Sequence, residues 1–183
     1  MRRPKLLLAT LLIASFSLGA LPGAASASFC GKSSHAPAEL TGHQLRTSVL
    51  CLVNAARERH GLARLHFKVP LRKAATGHSL SMVRSRLFSH YGPGGSSVTT
   101  RVAHTGYLFH ASSYRLAENI AAGEGRKYGS PLGIVRLWMH SPPHRANILD
   151  PSLRDFGVGI ARGDAFAGTS KGVTYTLDFG ARG

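Results

Sequence analysis

Apolar residues recur along this chain in two rhythms, and the change between them outlines the fold. In residues 41 to 59, Leu45, Val49, Leu52, Val53 and Ala56 fall three or four apart, which gathers them on one face of a helix. Thr41 supplies a capping oxygen before it and Gly61 a stop after it. Residues 70 to 86 repeat the rhythm through Leu71, Ala74, Ala75, His78 and Met82, with Pro70 suited to a first turn. The alanines in that stripe predict close packing against a sheet or another helix. Tyr91 to Ser97 is a loop by its glycines and serines, and Val98 to His104 is a short helix. Pro131 to Met139 is a third substantial helix with Leu132, Val135, Trp138 and Met139 turned inward. Ser141-Pro-Pro-His144 opens one more short turn.

The second rhythm is alternation. Arg115 to Ala121 reads as a strand carrying Glu118, Phe156 to Ala161 as another, and Val173 to Phe179 as a third. The polar stretch from Gly163 to Gly172 connects the last two as an antiparallel hairpin. Helices come first and strands collect late, which predicts α+β rather than alternating α/β.

The first 27 residues do not belong to this pattern. Arg2, Arg3 and Lys5 precede an apolar run from Leu6 to Leu21, and Ala25-Ser26-Ala27 has the small-x-small form of a cleavage site. A secretory signal cut after Ala27 is the expectation. A membrane anchor is the alternative, but the run is short and small residues, not basic ones, follow it. No later segment is apolar enough to span a bilayer. Residues 28 to 40 form a loose lead-in, and 41 to 183 supply one domain's worth of core, expected to be a monomer.

Export changes the reading of the two cysteines. In an oxidising compartment Cys30 and Cys51 are expected to pair, tying the lead-in to the first helix and contributing roughly 2–4 kcal/mol; two unpaired thiols with Cys51 buried is the alternative. The formal net charge of +15 favours anionic partners, such as wall polymers or lipid headgroups. The basic residues are scattered, without long runs or interleaved aromatics, so specific nucleic-acid recognition is not expected. Gly168-Thr-Ser170-Lys-Gly172 matches a nucleophile-elbow pattern, but it joins two strands, which makes Ser170 a turn residue.

Candidate chemistry lies in three short contexts: Leu87-Phe-Ser-His90, Ala117-Glu118-Asn119-Ile120, and Trp138 through Leu149, which contains His144. Two histidines and one carboxylate can form a metal site, an acid–base site or a hydrogen-bonded structural cluster. His140 and His144 are four apart, but Pro142 and Pro143 break the helix between them, so that pair is not favoured as a ligand set.

These motifs, with Asn54-Ala-Ala-Arg57, Leu65 after Gly61, the alanine-rich second helix, Gly106-Tyr107, Gly123 and Phe156-Gly-Val-Gly-Ile160, run in an order that resembles the CAP superfamily. That superfamily holds the cysteine-rich secretory proteins, venom antigen 5 and the plant pathogenesis-related proteins; the likeness is greatest to its bacterial, secreted, single-domain branch. The resemblance implies a three-layer α-β-α sandwich around a small, mainly antiparallel sheet. It also implies a surface cleft of two histidines and usually two acids. His90, His144 and Glu118 match three of these positions; the fourth is Ser141 where an acid is common, a change often seen in bacterial relatives.

On this reading His90 and His144 are candidate ligands for zinc or another divalent metal. Glu118 is a third ligand, an orienting partner or a general base on metal-bound water. Asn54, Arg57, Asn119, Trp138, Arg145 and Asn147 are structural. The main expectation is a non-enzymatic secreted protein whose cleft takes a metal and a lipid, glycan or protein ligand. Alternatives are a metal-assisted, protease-like hydrolase using His90, His144 and Glu118, and a basic module that holds the protein on anionic wall polymers.

Overall fold

The computed structural model describes residues 30–166 and 168–183. The proposed signal sequence lies outside the described residues.

Among the described residues, nine regular elements carry the fold, apart from short 3-10 and π turns. They are α1 (Gly42–Arg59), β1 (His66–Phe67), α2 (Val69–Ser85), α3 (Val98–His104), β2 (Tyr114–Gly123), α4 (Pro131–His140), α5 (Pro142–Ile148), β3 (Asp155–Asp164) and β4 (Thr169–Arg182). Side chains cap α1, α3 and α4, whereas Lys68 before α2 and Ser141 before α5 make no side-chain cap bond and proline stands in the first turn of each. Thr41 accepts from the Gln44 backbone while the Gln44 side chain accepts from the Thr41 backbone, which satisfies two orphan N–H groups at once. Ser97 caps α3 and Ser130 caps α4 in the simpler one-sided way.

The sheet order is β1-β3-β4-β2, with β3, β4 and β2 antiparallel and β1 parallel to β3. α+β is therefore the class, with one layer of α1, α4 and α5 on one face and α2 with α3 on the other. Alternation along β4 divides the two faces. Val173, Tyr175, Leu177 and Phe179 join Leu45, Val49, Val53, Ile134, Trp138 and Ile148 in the main core. Thr174, Thr176 and Asp178, fully buried on the opposite face, look toward α2 and α3. That second face is polar and narrow. The Ser79 hydroxyl meets Thr176 Oγ1 at 2.9 Å. A Cβ on Gly157 would stand 2.1 Å from the Arg72 nitrogen, and one on Gly159 2.0 Å from the Ala75 carbonyl carbon. Only glycine lets α2 lie this close to β3.

Several structural expectations resolve into contacts. Asn54 donates to the Leu65 carbonyl and accepts from the Leu65 N–H, which leads the chain into β1. Arg57 is buried and donates to the carbonyls of Ala63, Ile148, Asp150 and Leu153, holding the end of α1 against the segment between α5 and β3. The Trp138 indole N–H donates to the Ile120 carbonyl at 3.1 Å in the core. Cys30 and Cys51 are disulfide-bonded, with a Cα separation of 5.6 Å.

Two readings of the sequence are corrected. The stretch from Gly163 to Gly172 is largely strand: β3 runs on to Asp164 and β4 begins at Thr169. A register shift between Arg162 and Asp164, with Gly163 at φ +111°, accommodates two extra residues on β4, and Thr174 Oγ1 donates to the Gly163 carbonyl. Its polar side chains had read as a loop because the pairing partner, not their own hydropathy, makes them a strand. His66–Phe67 gave no strand signal, since a two-residue strand exists only through its bonds to Arg154 and Phe156.

Gly159→Ala is expected to cost about 1–3 kcal/mol or more by forcing α2 off the sheet, and Trp138→Ala about 3–5 kcal/mol through a cavity and a stranded Ile120 carbonyl. Urea melts check both; a Gly159→Ala protein as stable as the parent would refute the backbone-contact account.

Candidate functional site

Edge strand β2 places the two halves of the site on opposite faces of the sheet, because adjacent residues of a strand point oppositely. Glu118 turns toward α2 and α3, and Asn119 toward α5. The Glu118 side chain is only 3% exposed. His90 Nδ1 lies 2.7 Å from Oε1, and Arg101 Nη2 donates to Oε2 at 2.5 Å. Arg101, from α3, also donates to the carbonyls of His90 and Ser96, so it pins the glycine-rich loop as well as the carboxylate. Burial alone would raise the Glu118 pKa. The His90 hydrogen bond, the Arg101 charge and the nearby His78 outweigh it and hold the carboxylate ionised, below its ordinary range.

This geometry bears on the role left open for Glu118. Each oxygen is engaged by one side chain, so the carboxylate orients His90 and shares its charge with Arg101. Among the described residues no backbone N–H is bonded to it. His90, half exposed, gives its Nδ1 proton to Glu118 and keeps Nε2 outward. His144 sits at the start of α5 with Nδ1 2.7 Å from the Ser141 hydroxyl. Its imidazole is pushed down, first by burial and then by the charge of His90, which places the two rings in one electrostatic neighbourhood. Neither Nε2 is bonded to a described residue. Ser141, standing where an acid was looked for, thus orients the second histidine.

The other face supplies the scaffold. Asn119 donates to the His144 carbonyl, and Asn147 donates to Asn119 Oδ1 and the Glu118 carbonyl. These bonds tie α5 to β2. Arg145 does not belong to this lock: it is exposed and reaches His60 Nε2 at 3.2 Å. His140 bonds the Arg136 carbonyl through Nδ1 and makes no pair with His144.

Three residues escaped the sequence reading. Arg101 showed only as part of a short helix. His78 reads as an apolar-stripe member; it is buried, donates from Nε2 to the Ser89 carbonyl, and lies 3.8 Å from Glu118. Burial lowers its pKa more than Glu118 raises it, so it is held neutral. Asp178 lies directly across from Glu118 in the β2–β4 register, fully buried, and no described residue donates to either oxygen. Burial first, and the Glu118 charge second, raise its pKa well above the ordinary range. Both effects favour its protonated form. One signal was present: a carboxylate on the buried side of an alternating strand has to be paired or protonated.

The chemistry of the donor set fits a divalent ion only at two imidazole nitrogens, with other positions left to water or ligand. No group of three or more histidine, cysteine or acidic side chains suited to a metal occurs among the described residues. No described helix is long and apolar enough to cross a membrane.

Comparison with known proteins agrees with this architecture. The profile of the cysteine-rich secretory protein family (CAP) matches residues 50–179. The uncharacterized protein YkwD of Bacillus subtilis is 34% identical over 125 residues, 68% of this chain and 44% of that protein. The uncharacterized membrane protein YlbC of the same organism is 32% identical over 114 residues, 62% of this chain and 31% of its own length. The chain thus spans less than half of these relatives. Among solved structures, an extracellular SCP-domain protein of Bacillus anthracis superposes with a TM-score of 0.60 at 25% identity, over 76% of this chain and 43% of that one. An outer surface protein of Borrelia burgdorferi gives 0.59 at 18% identity, over 74% and 90%; at that identity the likeness is one of fold.

The pKa shifts have opposed signs that a pH series separates. Glu118, His78 and His144 all have lowered values. The unfolded chain therefore takes up protons that the folded one does not, and stability falls as pH drops from about 6.5 through the carboxylate range. Asp178 acts oppositely: its stabilising contribution is present at acid pH and lost as pH rises above the ordinary carboxylate range. Asp178→Asn should therefore melt at or above the parent at pH 7, with an advantage that shrinks toward pH 4. A variant that is destabilised at pH 7 and recovers in acid would mean that Asp178 is ionised and partnered.

Proposed function

Because this chain belongs to the cysteine-rich secretory protein family, we propose that it acts outside the cell as a binding protein rather than an enzyme, through the cleft that His90 and His144 share. The observation that carries the reading is the commitment of both Glu118 oxygens, to His90 and to Arg101. A hydrolase of the kind set out above would use that carboxylate as its base; here the His90 N–H and the Arg101 charge lower its basicity, and it fixes a tautomer. The Cys30–Cys51 bond, the leader-like first 27 residues and the extracellular SCP-domain neighbour support an exported protein.

Nε2 of His90 and Nε2 of His144 are the atoms that would hold a divalent ion such as zinc. Bound there, the ion would supply Lewis acidity and coordination positions for an oxygen-bearing ligand. The chain's own part is orientation: Glu118 sets the His90 ring, Ser141 sets the His144 ring, and Asn119 with Asn147 holds α5 in place. Such carboxylate and hydroxyl partners raise imidazole basicity and reduce the entropy lost on binding. The ligand is an extracellular lipid, glycan, wall polymer or protein, met by a monomer of strongly positive charge.

Calorimetric titration of the metal-stripped protein with zinc is expected to show one site of micromolar order, absent in folded His90→Ala/His144→Ala. Glu118→Gln should weaken it by about 10- to 100-fold. Identical heats in the parent and the double variant would make the histidines purely structural.

A further inference from the structure

A groove of about 720 Å³ lies beside the histidine cleft rather than in it. One wall is α4 and the other is the turn Gly125–Gly129. The packing between them is tight at its base: a Cβ on Gly133 would stand 2.3 Å from the Lys127 carbonyl oxygen, so the groove is a formed surface rather than a gap between loose segments. Its apolar floor comes from Tyr128, Leu132 and Leu137, with Tyr128 58% and Leu137 45% exposed.

The charge of the lining is one-sided. Arg126, Lys127 and Arg136 all border the groove, and no acidic residue does. Arg126 is paired with Glu39 at 3.1 Å. Lys127 sits over the Tyr128 ring at 4.9 Å from its centre. Neither Lys127 nor Arg136 has an acidic partner among the described residues. Two cations without acidic partners among the described residues thus flank exposed apolar side chains, on a chain whose net charge already repels another copy of itself.

We propose that this groove is a docking site for an extended acidic peptide, whose apolar side chains rest on Tyr128, Leu132 and Leu137 while its carboxylates meet Lys127 and Arg136. The pattern discriminates among anionic ligands. A bare polyanion would satisfy the cations and leave the apolar floor uncovered. A single acyl chain would cover the floor but lie in a groove open to solvent, where much of its hydrocarbon stays wet. A peptide with alternating acidic and apolar residues does both, because successive side chains of an extended strand point to opposite sides. The groove ends at Ser141, the residue that orients His144, so a peptide seated there runs toward the histidine cleft. The groove itself needs neither histidine nor a metal.

Fluorescence anisotropy with the labelled peptide acetyl-Asp-Phe-Glu-Leu-Glu-Val-amide tests this on the purified protein. Saturable binding is expected, weaker by about tenfold or more in Lys127→Glu/Arg136→Glu and also in Leu137→Asp. Arg84→Glu/Lys171→Glu makes the same change in net charge elsewhere and should leave affinity unchanged, as should His90→Ala/His144→Ala, which separates this site from metal binding. Replacing the peptide's acids by amides, or its apolar residues by serine, should each abolish binding. Equal losses in the two charge-reversal variants would overturn the proposal in favour of general electrostatic attraction. Absence of peptide binding would overturn it as well, and so would displacement of the peptide from the parent alone by palmitate or polyphosphate together with tighter binding of that competitor.

Discussion

The backbone-level contact between α2 and β3 is the constraint on which the rest of the molecule depends. Gly157 and Gly159 present no side chain to the helix, and α2 answers with Ala74, Ala75 and Ser79. A close approach of this kind strips water from the polar face of the sheet. Every group left there must then find a partner within the protein or lose its charge. Ser79 and Thr176 pair with each other. Asp178, buried opposite the Glu118 charge, is biased toward its protonated form. Glu118 keeps its charge because α3 brings Arg101 to it.

The candidate site grows from that same desolvation. A buried carboxylate with one cation, one half-exposed imidazole and one neutral imidazole around it has little orientational freedom. The result is a preset His90 ring whose outer nitrogen is free. Across the edge strand, Asn119 and Asn147 hold the start of α5, and Ser141 presets the His144 ring. The two histidines therefore reach the surface from opposite faces of one edge strand, each with its inner nitrogen already committed. Both rings are thus preset in orientation, each with an outer nitrogen that no described residue occupies.

Much of this was legible beforehand, and the parts that were not share a cause. The α3 limits and the capping of α1 were local facts, carried by Ser97, Thr41 and Gln44. The strand identity of Asp164 and Thr169 was not local, since it depends on their pairing with each other. His78 was read correctly as inward-facing, but its neighbours were invisible: the Ser89 carbonyl and the Glu118 carboxylate arrive from other elements. Arg145 was expected to lock the fold with Asn119 and Asn147, whereas on α5 it is exposed and reaches His60.

By itself the sequence determined the class of the fold and the positions of its helices, and brought forward the Cys30–Cys51 pair and the three candidates His90, Glu118 and His144. Periodicity, caps and short motifs are properties of neighbouring residues, so the chain states them directly. Tertiary structure alone decided the protonation and partners of those residues. It set Arg101 on Glu118, placed Asp178 opposite it in register and turned an apolar groove flanked by cations toward solvent. Charge state depends on desolvation and on groups brought from distant segments, and both come into being only when the sheet and its helices close on one another.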